Sequence, residues 1–405
     1  MTAARIPALV LITSLSLFMV GAPLTATAAD ERQPGQDDST STRPERQIPE
    51  LDLNRTRLNF GSVEGGSQTG AQRFLINNSG DGTIDWTAQG SEAWISASPG
   101  AGAGSHFVEV TIDPSGLSTG SYTGAVIVSD PAAGNSPQTV DVYFVVYNPG
   151  STGPPFGTFE TPIDSATVSG AIPVTGWALD DIGVASVGIF FQEGSNTVFI
   201  GNAIFVDGAR PDVEAAYPDL PRNFEAGWGY MLLTNGLPGG GNGTFTLLAI
   251  ATDMEGNTVT LGTKTITCDN ASAVKPFGTI DTPAQGGEAS GSSYRVQGWA
   301  LTPQPNTIPT DGSTITLYID GINQGHPTYN LYRGDVEAMF PGYTNSSGAG
   351  FYWDLDTTAY ENGTHTIYAS VTDDAGNSEG IGSRYFTINN PGAPVPVELI
   401  SFVID

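Results

Sequence analysis

Arg333-Gly334-Asp335 sets a guanidinium and a carboxylate two residues apart, the spacing of an integrin-type adhesion tripeptide. Adhesion chemistry needs both charges free for a partner. The chain also carries Arg210-Pro211-Asp212 before the same Val-Glu-Ala, so the shared unit is Arg-x-Asp-Val-Glu-Ala. An arginine and an aspartate present in both copies predict an ion pair or turn cap that supports a strand crossover. Asp253, Glu255 and Asn257, with Asp373, Asp374 and Asn377, gather oxygen atoms in two short hairpins that could suit calcium. Side-chain-to-backbone bonds around Gly256 and Gly376 close such turns without an ion. The candidate metal ligands are therefore Asp253, Asn257, Asp373 and Asn377, and no cofactor is required.

Exposed aromatic rings are the other chemistry on offer, because pyranose rings stack on them. Phe351 and Trp353 align with Trp228 and Tyr230, and alternate residues of a strand share a face, so these rings should point inward. Trp177 and Trp299 occupy identical places and read as core. Tyr352 lies between inward positions and should face solvent, opposite Gly229 of the other copy. Tyr329, Tyr332 and Tyr343 likewise lack aromatic counterparts, which makes Tyr329, Tyr332, Tyr343 and Tyr352 the candidate ligand-binding residues. No catalytic residue is assigned. His106, His326 and His365 stand far apart, no Gly-x-Ser-x-Gly elbow occurs, and Gly239-Gly240-Gly241-Asn242-Gly243 precedes a strand rather than a phosphate-binding helix.

These residues sit on a duplicated frame. Pro155-Phe156-Gly157-Thr158 returns as Pro276-Phe277-Gly278-Thr279, Gly176-Trp177-Ala178-Leu179 as Gly298-Trp299-Ala300-Leu301, and Thr252-Asp253 through Gly256-Asn257 as Thr372-Asp373 through Gly376-Asn377, at offsets of 120 to 123 residues. That period is too long for a propeller blade and suits one whole sandwich domain. Charged residues make up 14% of the 405, with 52 Gly and 28 Pro, and apolar residues come in short alternating runs. The pattern predicts an all-β chain without a persuasive amphipathic helix. A net charge of −28 argues against nucleic acid and anionic lipid as partners. The single cysteine, Cys268, excludes an internal disulfide framework and reads as a small core hydrophobe at the position of Ile388.

Residues 1–29 read as a secretory signal peptide: Arg5, the apolar stretch Ile6 to Val20, and the small-residue site Ala26-Thr27-Ala28. No run is convincing as a transmembrane segment. Residues 30–49 are polar and should form a disordered leader. Seven strands are predicted in 50–147: Leu51 to Phe60, Gln72 to Asn77, Gly82 to Ala88, Trp94 to Ala97, His106 to Ile112, Gly120 to Ser129 and Thr139 to Tyr147. Residues 148–155 and 269–275 read as linkers, 156–268 and 276–388 as the two repeats, and 389–405 as a tail.

Leu58-Asn59-Phe60-Gly61, Trp86, Trp94-Ile95, Leu117 to Gly124 and Val140 to Val145 resemble the BACON family of immunoglobulin-like domains. The resemblance implies a sandwich associated with carbohydrate or mucin binding and transfers no ligand residue. The repeats, through Gly-Trp-Ala and Thr-Asp-x-x-Gly-Asn, look like bacterial immunoglobulin-like domains of exported proteins. Pro396-Val397-Glu398-Leu399-Ile400-Ser401-Phe402 looks like the lead-in to a type IX secretion sorting domain, or is a β-prone tail. The expectation is three tandem immunoglobulin-like antiparallel β-sandwiches in an exported, non-catalytic bacterial protein, secreted or at the cell surface. Its expected role is adhesion, carbohydrate binding or spacing, with a polysaccharide or surface protein as partner. The alternatives are an accessory scaffold for a separately encoded secreted enzyme and, least favoured, a glycoside-active enzyme.

Overall fold

The computed structural model describes residues 48–392. The signal, nearly all of the leader and the sorting-type tail lie outside the described residues. The chain is all-β, folded as sandwiches whose sheets cover one another's apolar faces.

The first lobe pairs a four-stranded sheet with a five-stranded one. Between them Trp86, Phe74, Phe144 and Ile76 are fully buried. The predicted opening strand is two: Leu51–Leu53 lies in one sheet, and Arg57–Val63 crosses to the other and runs parallel to Gln138–Tyr147. The polar run Asn54 to Arg57 marks the crossing, after which the apolar alternation resumes out of phase at Leu58 and Phe60, a break that the reading of one strand passed over. A short strand, Ala101–Ala103, was also unpredicted, because its small residues carry no periodicity.

The second lobe is one eight-stranded sheet folded over its core, since Asn196–Phe205 pairs with Val184–Glu193 on one side and Gly227–Leu233 on the other. In the third lobe the same stretch is split into Ile322–Gly325 and Thr328–Leu331, leaving two sheets. The break falls at His326-Pro327, where proline has no N–H to carry a ladder onward. Both repeats also have one parallel pairing, Ala166–Val168 with Thr258–Asp269 and Glu288–Ala289 with Ser378–Ile388. The antiparallel expectation therefore needs one exception per lobe, where the entering strand changes sheets. Cys268 is buried in the second core, and burial pushes its thiol up to about 11.

Two single-turn helices, α1 (Pro211–Ala216) and α2 (Gly334–Met339), follow the shared arginines and were not predicted, being too short to show a helical stripe. They build satellite clusters outside the sandwich cores. Under α1, Trp177 and Tyr217 join Leu179 and Val213; under α2, Trp299 packs with Phe277, Val336 and Phe340. Trp299 is buried, as its core reading expects, while Trp177 is half-buried; both sit in these clusters and hold a helix onto the sheet.

The lobes dock against one another rather than following in an extended row. Asn59 Nδ2 donates to the Pro218 carbonyl at 2.8 Å, Thr69 Oγ1 to the Ile182 carbonyl at 2.5 Å, and Phe224 of the second lobe enters the first lobe's core cluster. A Cβ on Gly61 would lie 2.3 Å from the Asp181 carbonyl, so only glycine permits that approach. Between the first and third lobes, Arg73 Nη1 meets Glu288 Oε1 at 2.6 Å and Asn362 Nδ2 donates to Ser105 Oγ at 3.0 Å. Between the second and third, Leu233 packs on the α2 cluster, and Gly286 lies under Ile204.

Candidate functional site

The Arg-x-Asp units are closed on themselves. Arg333 Nε and Nη2 donate to the two oxygens of Asp335 at 2.8 and 2.7 Å, and Nη1 reaches Asp281 Oδ2 at 2.5 Å. Arg210 repeats this with Asp212 and Glu160. The paired guanidinium holds both Asp212 and Asp335 at about 2. Arg333 and Asp335 thus spend their charges on each other and anchor the start of α2 to the neighbouring strand.

In both turns the central aspartate is met by protein donors, while Glu255 Oε2 is buried without a partner. Asp253 Oδ1 accepts from the backbone N–H of Glu255 and Asn257 at 2.9 and 2.8 Å, and Oδ2 from Asn257 Nδ2 at 2.8 Å. Asp373 accepts from Ala375 N, Asn377 N and Asn377 Nδ2, and further from Thr302 Oγ1 at 2.9 Å and Asn306 Nδ2 at 3.0 Å. Asn257 and Asn377 therefore present amide donors to the carboxylates. Among the described residues no group of three or more His, Cys, Asp or Glu is placed to hold a metal ion.

The four tyrosines do not share a surface. Tyr329 is 5% exposed in the third core, its hydroxyl donating to the Ala300 carbonyl at 2.9 Å, so it is not available to a ligand. Its structural counterpart is Phe205: Tyr329 pairs with Phe351 as Phe205 pairs with Trp228. A one-residue bulge after Tyr329 displaced it from Phe205 in the linear alignment. Tyr352 faces outward but is half-buried beneath Arg295, whose guanidinium carbon lies 4.2 Å from the ring centroid. Its counterpart Gly229 faces Gln285 of the third lobe, 3.5 Å from where a Cβ would stand, which gives that difference a docking reason. Tyr332 is 80% exposed and stands alone.

Tyr343 is the candidate that borders a cavity. It packs on Phe277 and Phe340 where the first repeat has Leu220, and forms part of the wall of a cleft of about 510 Å3 between the second and third lobes. Asn235, Asn270, Lys275 and Glu379 add polar groups to the lining. Asn270 is a scaffold residue: its Oδ1 accepts from Gly170 N at 2.8 Å and its Nδ2 donates to the Gly241 carbonyl at 2.6 Å. Asn390 does the same work in the third lobe with Gly291 and Thr357. Both asparagines sit within the lobes, so the segment expected as linker from 269 begins with strand and scaffold residues. Lys275 Nζ pairs with Glu379 Oε2 at 2.8 Å across the cleft mouth, and Asn235 Oδ1 is buried without a partner. The sequence signal for this site was the linker lysine, one of two in the chain, beside a second-copy tyrosine.

Among the described residues no helix is long and apolar enough to cross a membrane. Residues 50–141 match the family described as the viral BACON domain, less than a quarter of the chain. No curated protein matches the sequence. Among solved structures, a Bacteroides ovatus GH5 xyloglucanase in complex with a XXXG heptasaccharide is 20% identical over 29% of this chain, with a TM-score of 0.20. The chain spans only 21% of that enzyme's length. The fibronectin(III)-like modules of Clostridium thermocellum CbhA are 14% identical over 58% of this chain and 94% of their own, with a TM-score of 0.18. Dimeric latent PorU from Porphyromonas gingivalis is 11% identical over 85% of this chain and 34% of its own, with a TM-score of 0.36. Likenesses of this size carry no argument about the site. The residues at 50–141 are similar to the viral BACON domain, and the described residues beyond them form further β-sandwich.

Proposed function

We propose that this is an exported, non-catalytic binding protein of the cell surface or extracellular space, acting in adhesion by holding a glycan in the cleft between its second and third lobes. The cleft carries the reading. A space of about 510 Å3 falls in the size range of ligand sites, and it combines Tyr343, backed by the buried Phe277, with amide and ion-paired groups. Aromatic faces take the apolar side of a pyranose, and amides both donate to and accept from hydroxyls. Glycoside hydrolysis needs two carboxylates across the scissile bond, and the lining of this cleft offers one, Glu379, already paired with Lys275. This supports binding over turnover.

The test is a screen of the mature protein against plant, mucin and bacterial polysaccharides, repeated with Tyr343→Leu. Leucine is the residue of the first repeat, so the satellite cluster stays filled while the ring is lost. Binding by the wild type that weakens about tenfold in the variant is expected, the value of one stacking contact of roughly 1.4 kcal/mol. No binding in any arm would refute the reading, and release of reducing sugar would make the protein an enzyme.

A further inference from the structure

A second cavity lies where all three lobes meet, and of its residues the sequence had singled out only Glu214, as part of the shared Arg-x-Asp-Val-Glu-Ala unit. About 400 Å3 in volume, it is walled by Arg55 and Phe107 from the first lobe, Asp207 and Glu214 from the second, and Thr364 and Tyr385 from the third. Within the wall, Asp207 makes no direct hydrogen bond to Arg55, and Arg73, which lies outside the wall, is already bound to Glu288 and Thr387. Arg55 Nη2 and Arg73 Nε each stand 3.6 Å from Asp207 Oδ2, beyond hydrogen-bonding distance. The Arg55 side chain is 10% exposed, and its buried Nε has no partner. Its guanidinium instead lies on Phe224, 3.1 Å from the ring centroid. Burial lowers Arg55 to about 10, so it keeps its charge at neutral pH. A carboxylate held slightly too far from two guanidinium groups is a poor ion pair and a good place for a hydroxyl, which donates to one and accepts from the other. Tyr385, 40% exposed and lining the same cavity from the third lobe, adds a ring face.

We propose that this three-lobe junction is a second binding site, taking one neutral sugar ring whose adjacent hydroxyls bridge Asp207 and Arg55 while its apolar face lies on Tyr385. The chemistry favours a neutral ring over a charged one. Arg55 in the wall is outnumbered by Asp207 and Glu214, Arg73 is already paired with Glu288, and the chain's charge of −28 repels anionic glycans at a distance. Because each lobe supplies a wall, the site exists only in the docked arrangement, and occupancy holds that arrangement closed. The inference rests on the glycan reading above and adds a site to it.

The experiment is calorimetric titration of the full mature chain with neutral gluco-, xylo- and manno-oligosaccharides and with an oligogalacturonate. Asp207→Asn, Tyr385→Ala and Tyr343→Leu are titrated in parallel, and small-angle scattering checks that each variant stays compact. Two sites per chain are expected for a neutral oligosaccharide, with Asp207→Asn and Tyr385→Ala each weakening one of them at least tenfold and Tyr343→Leu weakening the other. A single site lost only in Tyr343→Leu would overturn the junction proposal and leave the glycan reading standing. Preference for the oligogalacturonate, or two sites insensitive to both junction variants, would also overturn it. Absence of all binding would remove both.

Discussion

The two copies differ at single residues, and those differences are where chemistry is exposed. Thr302 donates its hydroxyl to the buried Asp373, but the second lobe has Asp180 in that position, 1% exposed and facing the equivalent Asp253 environment. Asp180 Oδ2 accepts from the N–H of Ile182 and Gly183, while Oδ1 has no partner. Burial, aided by the charges of Asp181 and Asp253, raises Asp180 to about 6. The folded state therefore binds this proton more tightly than the unfolded chain. The contribution is fully present below about pH 4 and is lost as pH rises through about 6. Asp180→Asn keeps an acceptor for both N–H groups and removes the charge. Thermal melts should show the wild type losing stability from pH 5 to pH 8 and the variant losing less; equal slopes would place the proton elsewhere. The sequence marked the acidic turns around Asp253 and Asp373 correctly as clusters of oxygen atoms. The expectation that backbone N–H groups close these turns also came from the sequence; the donors Thr302 and Asn306, 71 and 67 residues from Asp373, appear only with coordinates.

At the scale of elements, the Gly-Trp-Ala motif was legible as a shared strand and its physical cause was not. Gly176 and Gly298 leave room for a ring from the next strand: a Cβ would stand 2.4 Å from Trp228 Cζ2 in one lobe and 2.4 Å from Phe351 Cζ in the other. On Gly298 the Thr279 carbonyl also lies 2.4 Å away, and backbone cannot move aside as a side chain can. Gly298→Ala should cost about 1–3 kcal/mol in urea unfolding, the usual range for overpacking; a neutral result would mean the strands shift freely. Strand-sized runs were readable because sandwich strands alternate with period two. The single-turn helices and the split at Pro327 were missed for opposite reasons. One turn is too short to repeat, and a proline between two good strands looks like a turn until the ladders are counted.

For the whole molecule, the decisive residue is again an unshared one. Phe224 is buried in the first lobe's core cluster beneath Arg55, and the third lobe has Ser347 at the equivalent place. Only the repeat that docks on the first lobe carries the ring. Phe224→Ser should remove roughly 3–5 kcal/mol of coupling, enlarge the radius of gyration in small-angle scattering, and divide one unfolding transition into two. An unchanged scattering profile would show that the polar contacts of Asn59 and Thr69 suffice. The same variant should weaken the junction site, both by loosening the docking and by removing the ring on which Arg55 rests. By itself, the sequence determined that this is a duplicated all-β chain with self-paired arginines, because strand periodicity and repetition are local properties that one dimension records. Only the tertiary structure decided that the lobes close on one another, that Tyr329 is core while Tyr343 borders a cleft, and that Arg55, Asp207 and Tyr385 face a common space. Those facts depend on contacts between surfaces hundreds of residues apart, and such contacts leave no spacing to read.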